Sequence, residues 1–264
     1  MNKLTFYISF IFLFLCYFGF SQENTLVEVK NIKGQAYDSD IITSREKAIN
    51  DAKVNALRKA GIGENINSYA DYFRAETDEK YQELFSSQVF SQIKGVVKDY
   101  EIIDENKTFT DSENIKTEVV INCKILKYNN EPDLLYKAAI NEILPVYYDG
   151  DALNFSVKVS KDSYLKVFCI PESKEDAYFL FPNEFEKNFL LKADLEYKFP
   201  MEVEKYEMVL DTRKQQIDRF IFVFTKEDYP YFQEITYSNI TNWIFDIPIE
   251  KRIVESFAIN IYSK

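Results

Sequence analysis

Apolar residues alternating with period two dominate this chain and confine helix to a few stretches. Ile115 to Tyr128 reads IKTEVVINCKILKY and Gly95 to Ile103 reads GVVKDYEII, with the polar DENKTFTDSEN between them. That order predicts a β-hairpin. Upstream, Thr25 to Tyr37 alternates loosely and reads as a strand. A helical period follows, with Ile49, Ala52, Ala56, Leu57 and Ala60 on one face and Gly61 and Gly63 at the stop. Thr43 and Glu46 have the spacing of a capping box, and a stripe of alanines lets a helix lie close to a sheet. Further helix is expected between Ile66 and Ile93, from the spacing of Tyr81, Leu84, Phe85 and Val89.

The NNEP of Asn129–Pro132 combines turn formers with a proline and marks a boundary. A short helix, DLLYKAAINEIL, is expected just after it. Beyond it six strand-like segments follow one another: DALNFSVKVS, SYLKVFCI, AYFLF, EKYEMVL, DRFIFVFT and RIVESFAINIYS. Such a series suggests a sandwich or a strongly bent sheet. YSNITNWIF reads as a helix between the last two strands, with Trp243 and Phe245 inward. The aromatic-rich AYFLFPNEFEKNFLL reads as a corner of the core: Pro182 cannot donate a ladder hydrogen bond and so ends a strand, and Asn183 suits the turn after it. Phe179 and Phe181 are expected on one face of that strand, with Phe185 and Phe189 a helical turn apart if the next segment coils.

The fold class is therefore α+β, a helix on an antiparallel sheet followed by a mainly β, sandwich-like domain. The expected division is 1–21 as a signal peptide, 22–130 as the first domain and 131–264 as the second. The two halves are expected to fold separately, unless a helix from Leu134 to Leu144 bridges both cores.

The chain starts with one lysine, an apolar run from about Leu4 to Phe20, and Gly19-Phe20-Ser21, small residues at −3 and −1 of a cut after Ser21. That layout predicts a cleaved secretory signal with the mature chain starting at Gln22. An uncleaved anchor is the alternative. Cys16 follows Leu13-Phe14-Leu15 and lacks the small residue a lipidated cysteine requires. The FSQ ending resembles exported proteins of the Bacteroidetes.

The formal charge is −11, and no basic run tracks phosphates, so nucleic acid is not an expected partner. Acidity also disfavours docking on anionic lipid. With no histidine in the chain, Ser-His-Asp and Cys-His catalysis and the usual zinc sites are excluded. Six glycines and no phosphate-binding loop argue against nucleotide binding. Cys123 and Cys169 lie in separate β-like runs and are expected as buried free thiols, although export would permit a disulfide.

Two resemblances add to this reading. REKAINDAKVNALRKAGI, Gly95-Val96-Val97-Lys98 and YEII lie within about Leu26 to Leu126, which resembles the domain shared by small Helicobacter LPP lipoproteins and the N-terminal region of flagellar assembly protein T. That resemblance implies an envelope protein without catalytic residues. From about Val146 to Ile261, Gly150-Asp151, Tyr164-Leu165-Lys166-Val167-Phe168 and Leu180-Phe181-Pro182-Asn183 resemble the family called domain of unknown function 4384, with Pro200 and FIFVFTKED in its order. That family implies a fold and a compartment, and no activity.

Glu202, Glu204, Glu207 and Asp211 lack the Asp-rich loop of a calcium site and read as a solvated face. Asp149-Gly150-Asp151 reads as a turn. Carboxylate pairs of glycosidase type stay open among 43 acidic residues. No catalytic residue, cofactor or metal is expected. Tyr and Phe are abundant, at 19 and 23, and EDYPYF, Glu227–Phe232, is the candidate partner contact, through Tyr229, Tyr231 and Phe232. The expected function is an exported, non-enzymatic cell-envelope protein, in the periplasm or envelope, that binds or assembles with a protein partner and has no direct membrane anchor once the signal is removed. The alternative is a periplasmic glycan-binding or carboxylate-dependent hydrolytic protein.

Overall fold

The computed structural model describes residues 24–63, 68–69, 72–73, 90, 93–110, 114–171, 177–201, 206–210 and 214–264. The expected signal segment, residues 1–21 with Cys16, and the expected helical positions Tyr81, Leu84, Phe85 and Val89, lie outside these residues. Tyr69, Tyr72, Phe73 and Phe90 are helical and buried.

The first unit is a helix on a three-stranded antiparallel sheet. Strands β1 (Thr25–Asp38), β2 (Gly95–Phe109) and β3 (Ile115–Lys127) lie in the order β1-β3-β2, with β3 central. Period-two alternation sends Val119, Ile121, Cys123 and Ile125 of β3 to one buried face. Helix α1 (Ile41–Lys59) covers that face with Ala48, Ile49, Ala52, Ala56 and Leu57. The alanine stripe matters because a Cβ on Gly34 would lie 2.2 Å from the Ala48 carbonyl oxygen and 2.4 Å from the Ala52 nitrogen. Helix and strand backbones thus nearly touch. Gly61, at φ 82°, ends the helix in a conformation that favours glycine.

The helix starts one turn before the expected capping box. Asp40, not Thr43, is the N-cap: its carboxylate accepts from the Thr43 N–H at 2.7 Å, and its carbonyl accepts from Ser44. A carboxylate three residues ahead of a free N–H satisfies it as well as the hydroxyl would. Ser44 goes inward instead, donating to the Ile115 carbonyl at 3.0 Å beside Thr117.

The second unit is mainly β. Five strands, β5 (Val146–Tyr148), β13 (Arg252–Tyr262), β12 (Gln215–Thr225), β8 (Tyr164–Pro171) and β9 (Tyr178–Phe181), form one sheet in that order. A second sheet orders β10 (Glu196–Phe199), β7 (Phe155–Val159) and β4 (Ala138–Asn141), and β11 (Tyr206–Glu207) pairs with β6 (Ala152–Leu153). The expected helix over Asp133–Leu144 is instead a turn followed by β4. Helix propensity yields there to pairing with β7, Ala138 opposite Val159 through Asn141 opposite Ser156. Strands β4, β5 and β10 hold three or four residues each, too few for alternation to show.

Central strand β12 explains the continuous apolar run FIFVF. Phe220, Phe222 and Phe224 enter a core shared with β7, β8 and β10, while Ile221 and Val223 face the opposite side. A strand buried on both faces alternates between two cores rather than between core and solvent. The opposite side is covered by α2 (Tyr237–Asp246), which buries Ile240, Trp243, Ile244 and Phe245, as expected for Trp243 and Phe245.

That second face does not end at the expected boundary. One apolar cluster contains Val96, Ile121 and Ile125 of the first sheet, Phe245 and Ile244 of α2, and Ile221 and Val223 of β12. Tyr128 donates to the Phe245 carbonyl at 2.6 Å, Phe90 lies 5.6 Å from the Phe245 ring, and Lys98 pairs with Asp246 at 2.6 Å. The element joining the halves is α2, not the Leu134–Leu144 segment.

The Pro182 corner is built as its residues require, with two corrections. Phe181-Pro182 is cis, and the Asn183 side chain accepts from the N–H groups of Phe185 and Glu186 while donating to the Leu180 carbonyl. Phe179 and Phe181 face opposite cores, because Leu180 is an extra residue between the pairs Phe168–Phe179 and Val167–Phe181. The segment after Asn183 is irregular, leaving Phe185 exposed and Phe189 against Phe181 at 5.9 Å.

Candidate functional site

The loop after β12 carries the three aromatics singled out above, and the structure gives them different places. Tyr231 is half-buried, its ring 5.3 Å from Phe168, 5.4 Å from Phe179 and 5.5 Å from Trp243, and its hydroxyl donates to the Glu234 carbonyl. Burial pushes that phenol up to about 12. Tyr229 is half-buried as well and reaches Glu227, which pairs with Lys251 at 2.8 Å. Asp228 accepts from Lys166 at 3.0 Å and from Asn188 at 3.1 Å. The loop is thereby held at both flanks and at its centre. Phe232, next to the anchored Tyr231, is 89% exposed. An aromatic left in water on a fixed backbone loses little freedom when a partner covers it.

The acidic groups have other work. Asp149 accepts from the Leu210 N–H and Asp151 from the Tyr148 N–H, both at 2.8 Å, around Gly150 at φ 80°. Glu202, Glu204 and Asp211 lie outside the described residues, and Glu207 is exposed on β11. No group of three potential metal ligands is present among the described residues. A concavity of about 410 Å³ on the first sheet is lined partly by Asp51, Asp104 and Glu118. Asp51 accepts from the Gln35 N–H, and Glu118 pairs with Lys116. Cys123 and Cys169 are free and buried, and burial pushes the Cys123 thiol up to about 11.

Three features carried no sequence signal. Glu186, buried in the Pro182 corner, accepts from the Tyr206 hydroxyl and the Met201 N–H, joining the corner to the one after cis Pro200. Arg252, buried at the start of β13, donates to the Ile244 and Ile247 carbonyls at the end of α2, with its guanidinium 5.0 Å from the Tyr128 ring. It thus caps the helix that joins the halves. Between the halves lies a groove of about 440 Å³, with Phe90, Pro132, Leu134, Arg252 and Glu255 on its walls. Asp133 at its rim accepts from both Lys161 and Lys226, which hold its carboxyl well below the usual range. None of these positions shares a motif, so only the fold brings them together.

Among the described residues, no helix is long and apolar enough to cross a membrane. Fold and surface together define an α+β protein with a helix-on-sheet unit and a sandwich-like unit, joined by α2. Residues 146–227 match the family described as Domain of unknown function (DUF4384). The match holds the Gly150-Asp151 turn, β8 and the Pro182 corner, and stops at Glu227, before α2 and β13. No curated protein matches the chain.

Proposed function

We propose that this is an exported, non-enzymatic cell-envelope protein that binds a protein partner through the face carrying Phe232. The observation that carries this reading is the contrast within one loop, Tyr231 locked on Phe168, Phe179 and Trp243 beside Phe232 at 89% exposure. Export is supported by the charged, apolar and small-residue order of residues 1–21. The envelope setting, and a source among the Bacteroidetes, rest on the FSQ ending and on the resemblance of the first unit to the Helicobacter LPP and flagellar assembly protein T domains. A glycan-binding reading draws on the Asn188 Oδ1, which has no hydrogen-bond partner among the described residues and belongs to a side chain that donates to Asp228.

The test is affinity capture from native envelopes with the parent and Phe232→Ala, alongside intact-mass analysis of the exported chain. The reading expects a mass starting at Gln22 and a partner protein retained by the parent and lost by the variant at equal melting temperature. Equal capture by both proteins refutes the Phe232 face, and a chain found in the cytosol refutes export.

A further inference from the structure

The sheet of the first unit has two edges, and the chain treats them differently. Along β1, side chains of α1 take up outer backbone groups: Asn55 donates to the Lys33 carbonyl, Lys59 donates to the Lys30 carbonyl, and Asp51 accepts from the Gln35 N–H, at 3.0–3.2 Å. Strand β2, at the other edge, is laddered to β3 alone. The Thr110 N–H donates to the Asn114 carbonyl across the hairpin, so Thr110 faces β3. No register shift interrupts the pairing from Asp104 opposite Val120 to Phe109 opposite Ile115, and backbone groups alternate sides along such a regular strand. Glu105, Lys107 and Phe109 therefore direct their N–H and C=O groups away from β3, and no described residue bonds them.

Exposure shows that this edge is uncovered. From Asp99 to Phe109 every residue is exposed or half-buried, and Phe109 is 78% exposed. The side chains of Glu105, Lys107 and Phe109 share one face, where Glu105 accepts from Arg45 of α1 and from Lys107, both at 2.8 Å. Charges on an edge guard it against added strands in general. They still admit a strand whose own charges run in the complementary order.

We propose that the β2 edge pairs with the same edge of a second copy of this chain, antiparallel about a two-fold axis, and so joins two three-stranded sheets into one. The charges choose the register. Two-fold pairings centred on Glu105 or on Lys107 set like charges opposite each other, which is destabilising. The pairing centred on Asn106 sets Glu105 opposite Lys107 of the second copy, and it does so twice. It also places Asp104 opposite Thr108, and Phe109 across from the irregularity at Ile102–Ile103, where Ile103 is 47% exposed. The exposed ring thereby gains an apolar neighbour. This surface, on the first unit, is distinct from the Phe232 loop.

The experiment is sedimentation equilibrium of the purified chain over a concentration series, with amide exchange recorded in parallel. The expected result is a reversible monomer–dimer equilibrium in which protection at the Glu105, Lys107 and Phe109 amides grows with concentration. Glu105→Lys and Lys107→Glu should each weaken the dimer about tenfold, because each sets like charges opposite at two places. Mixing the two variants should restore it, because every changed charge then meets its opposite. Lys107→Pro removes an outward N–H without touching the β3 ladder and should abolish the dimer at unchanged melting temperature. That variant serves if Glu105→Lys, which also loses Arg45, does not fold. Phe232→Ala should dimerise normally, so this proposal and the Phe232 reading fail separately. A monomer at every concentration overturns the proposal and leaves the two charges as guards of a bare edge. A dimer that survives Lys107→Pro, or a mixture no tighter than its components, also overturns it. So does protection of these amides only when an envelope extract is added, which would mean that a different chain takes the edge.

Discussion

Tyr128, the residue following the last strand of the first sheet, donates its phenolic hydrogen to the carbonyl of Phe245 in α2, 117 residues away and 2.6 Å distant. This bond joins the two halves through a carbonyl that Arg252 does not cap, since Arg252 takes those of Ile244 and Ile247.

Tyr128→Phe keeps the ring and leaves a buried acceptor without its donor. The expected loss is about 1–3 kcal/mol, read from urea unfolding of the full chain. A change within error would show that water replaces the hydroxyl.

The apolar cluster shared by Ile121, Ile125, Phe245, Ile221 and Val223 predicts that the full chain unfolds in one transition. Expressed alone, residues 131–264 expose the face of α2 that Tyr72, Phe90 and Tyr128 cover, and should bind a hydrophobic dye or aggregate until the first half is supplied. Two independent cooperative transitions, with both halves soluble, would refute this coupling.

Phe181→Ala empties a site that is 1% exposed, with Phe199 at 4.8 Å and Phe189 at 5.9 Å. Thermal or urea unfolding should show a loss of roughly 3–5 kcal/mol. A variant that melts like the parent would remove Phe181 from the core.

Gly34→Ala places a methyl group against the backbone of α1, where flexible side chains cannot yield. The expected cost is about 1–3 kcal/mol or more, with the helix displaced from β1. Gly63→Ala, with nothing within 4 Å of its added Cβ, is the control.

Lys161 and Lys226 depress the Asp133 carboxyl in the folded chain. A depressed carboxylate contributes stability above its unfolded pKa and loses it as pH falls through the folded one. Asp133→Asn should therefore flatten the acid limb of the stability–pH curve below the ordinary carboxylate range and leave the slope near neutrality unchanged. An acid limb identical to the parent's would show that the lysines are fully solvated in both states.

Much of this architecture was legible because the patterns involved are local. Alternation in β1, β2 and β3, the continuous apolar run of β12, the alanine face of α1, the inward Trp243 and Phe245, and the turn at Pro182-Asn183 each follow from steric and hydrogen-bond preferences within a few residues. Where local signals competed, tertiary pairing decided. Ala138–Asn141 joined β7 rather than a helix, and the extra residue Leu180 sent Phe179 and Phe181 to different cores.

The sequence by itself determined the order β1, α1, β2, β3 of the first unit, the exclusion of histidine chemistry, and the aromatic loop at Glu227–Phe232, because composition and short periods need no partner to be read. Only the tertiary structure decided which of those aromatics is locked and which is free, that α2 fuses the halves, and that Arg252 caps α2. The first two depend on groups brought together across tens to more than a hundred residues, where packing and strand pairing, rather than local preference, set the lowest free energy.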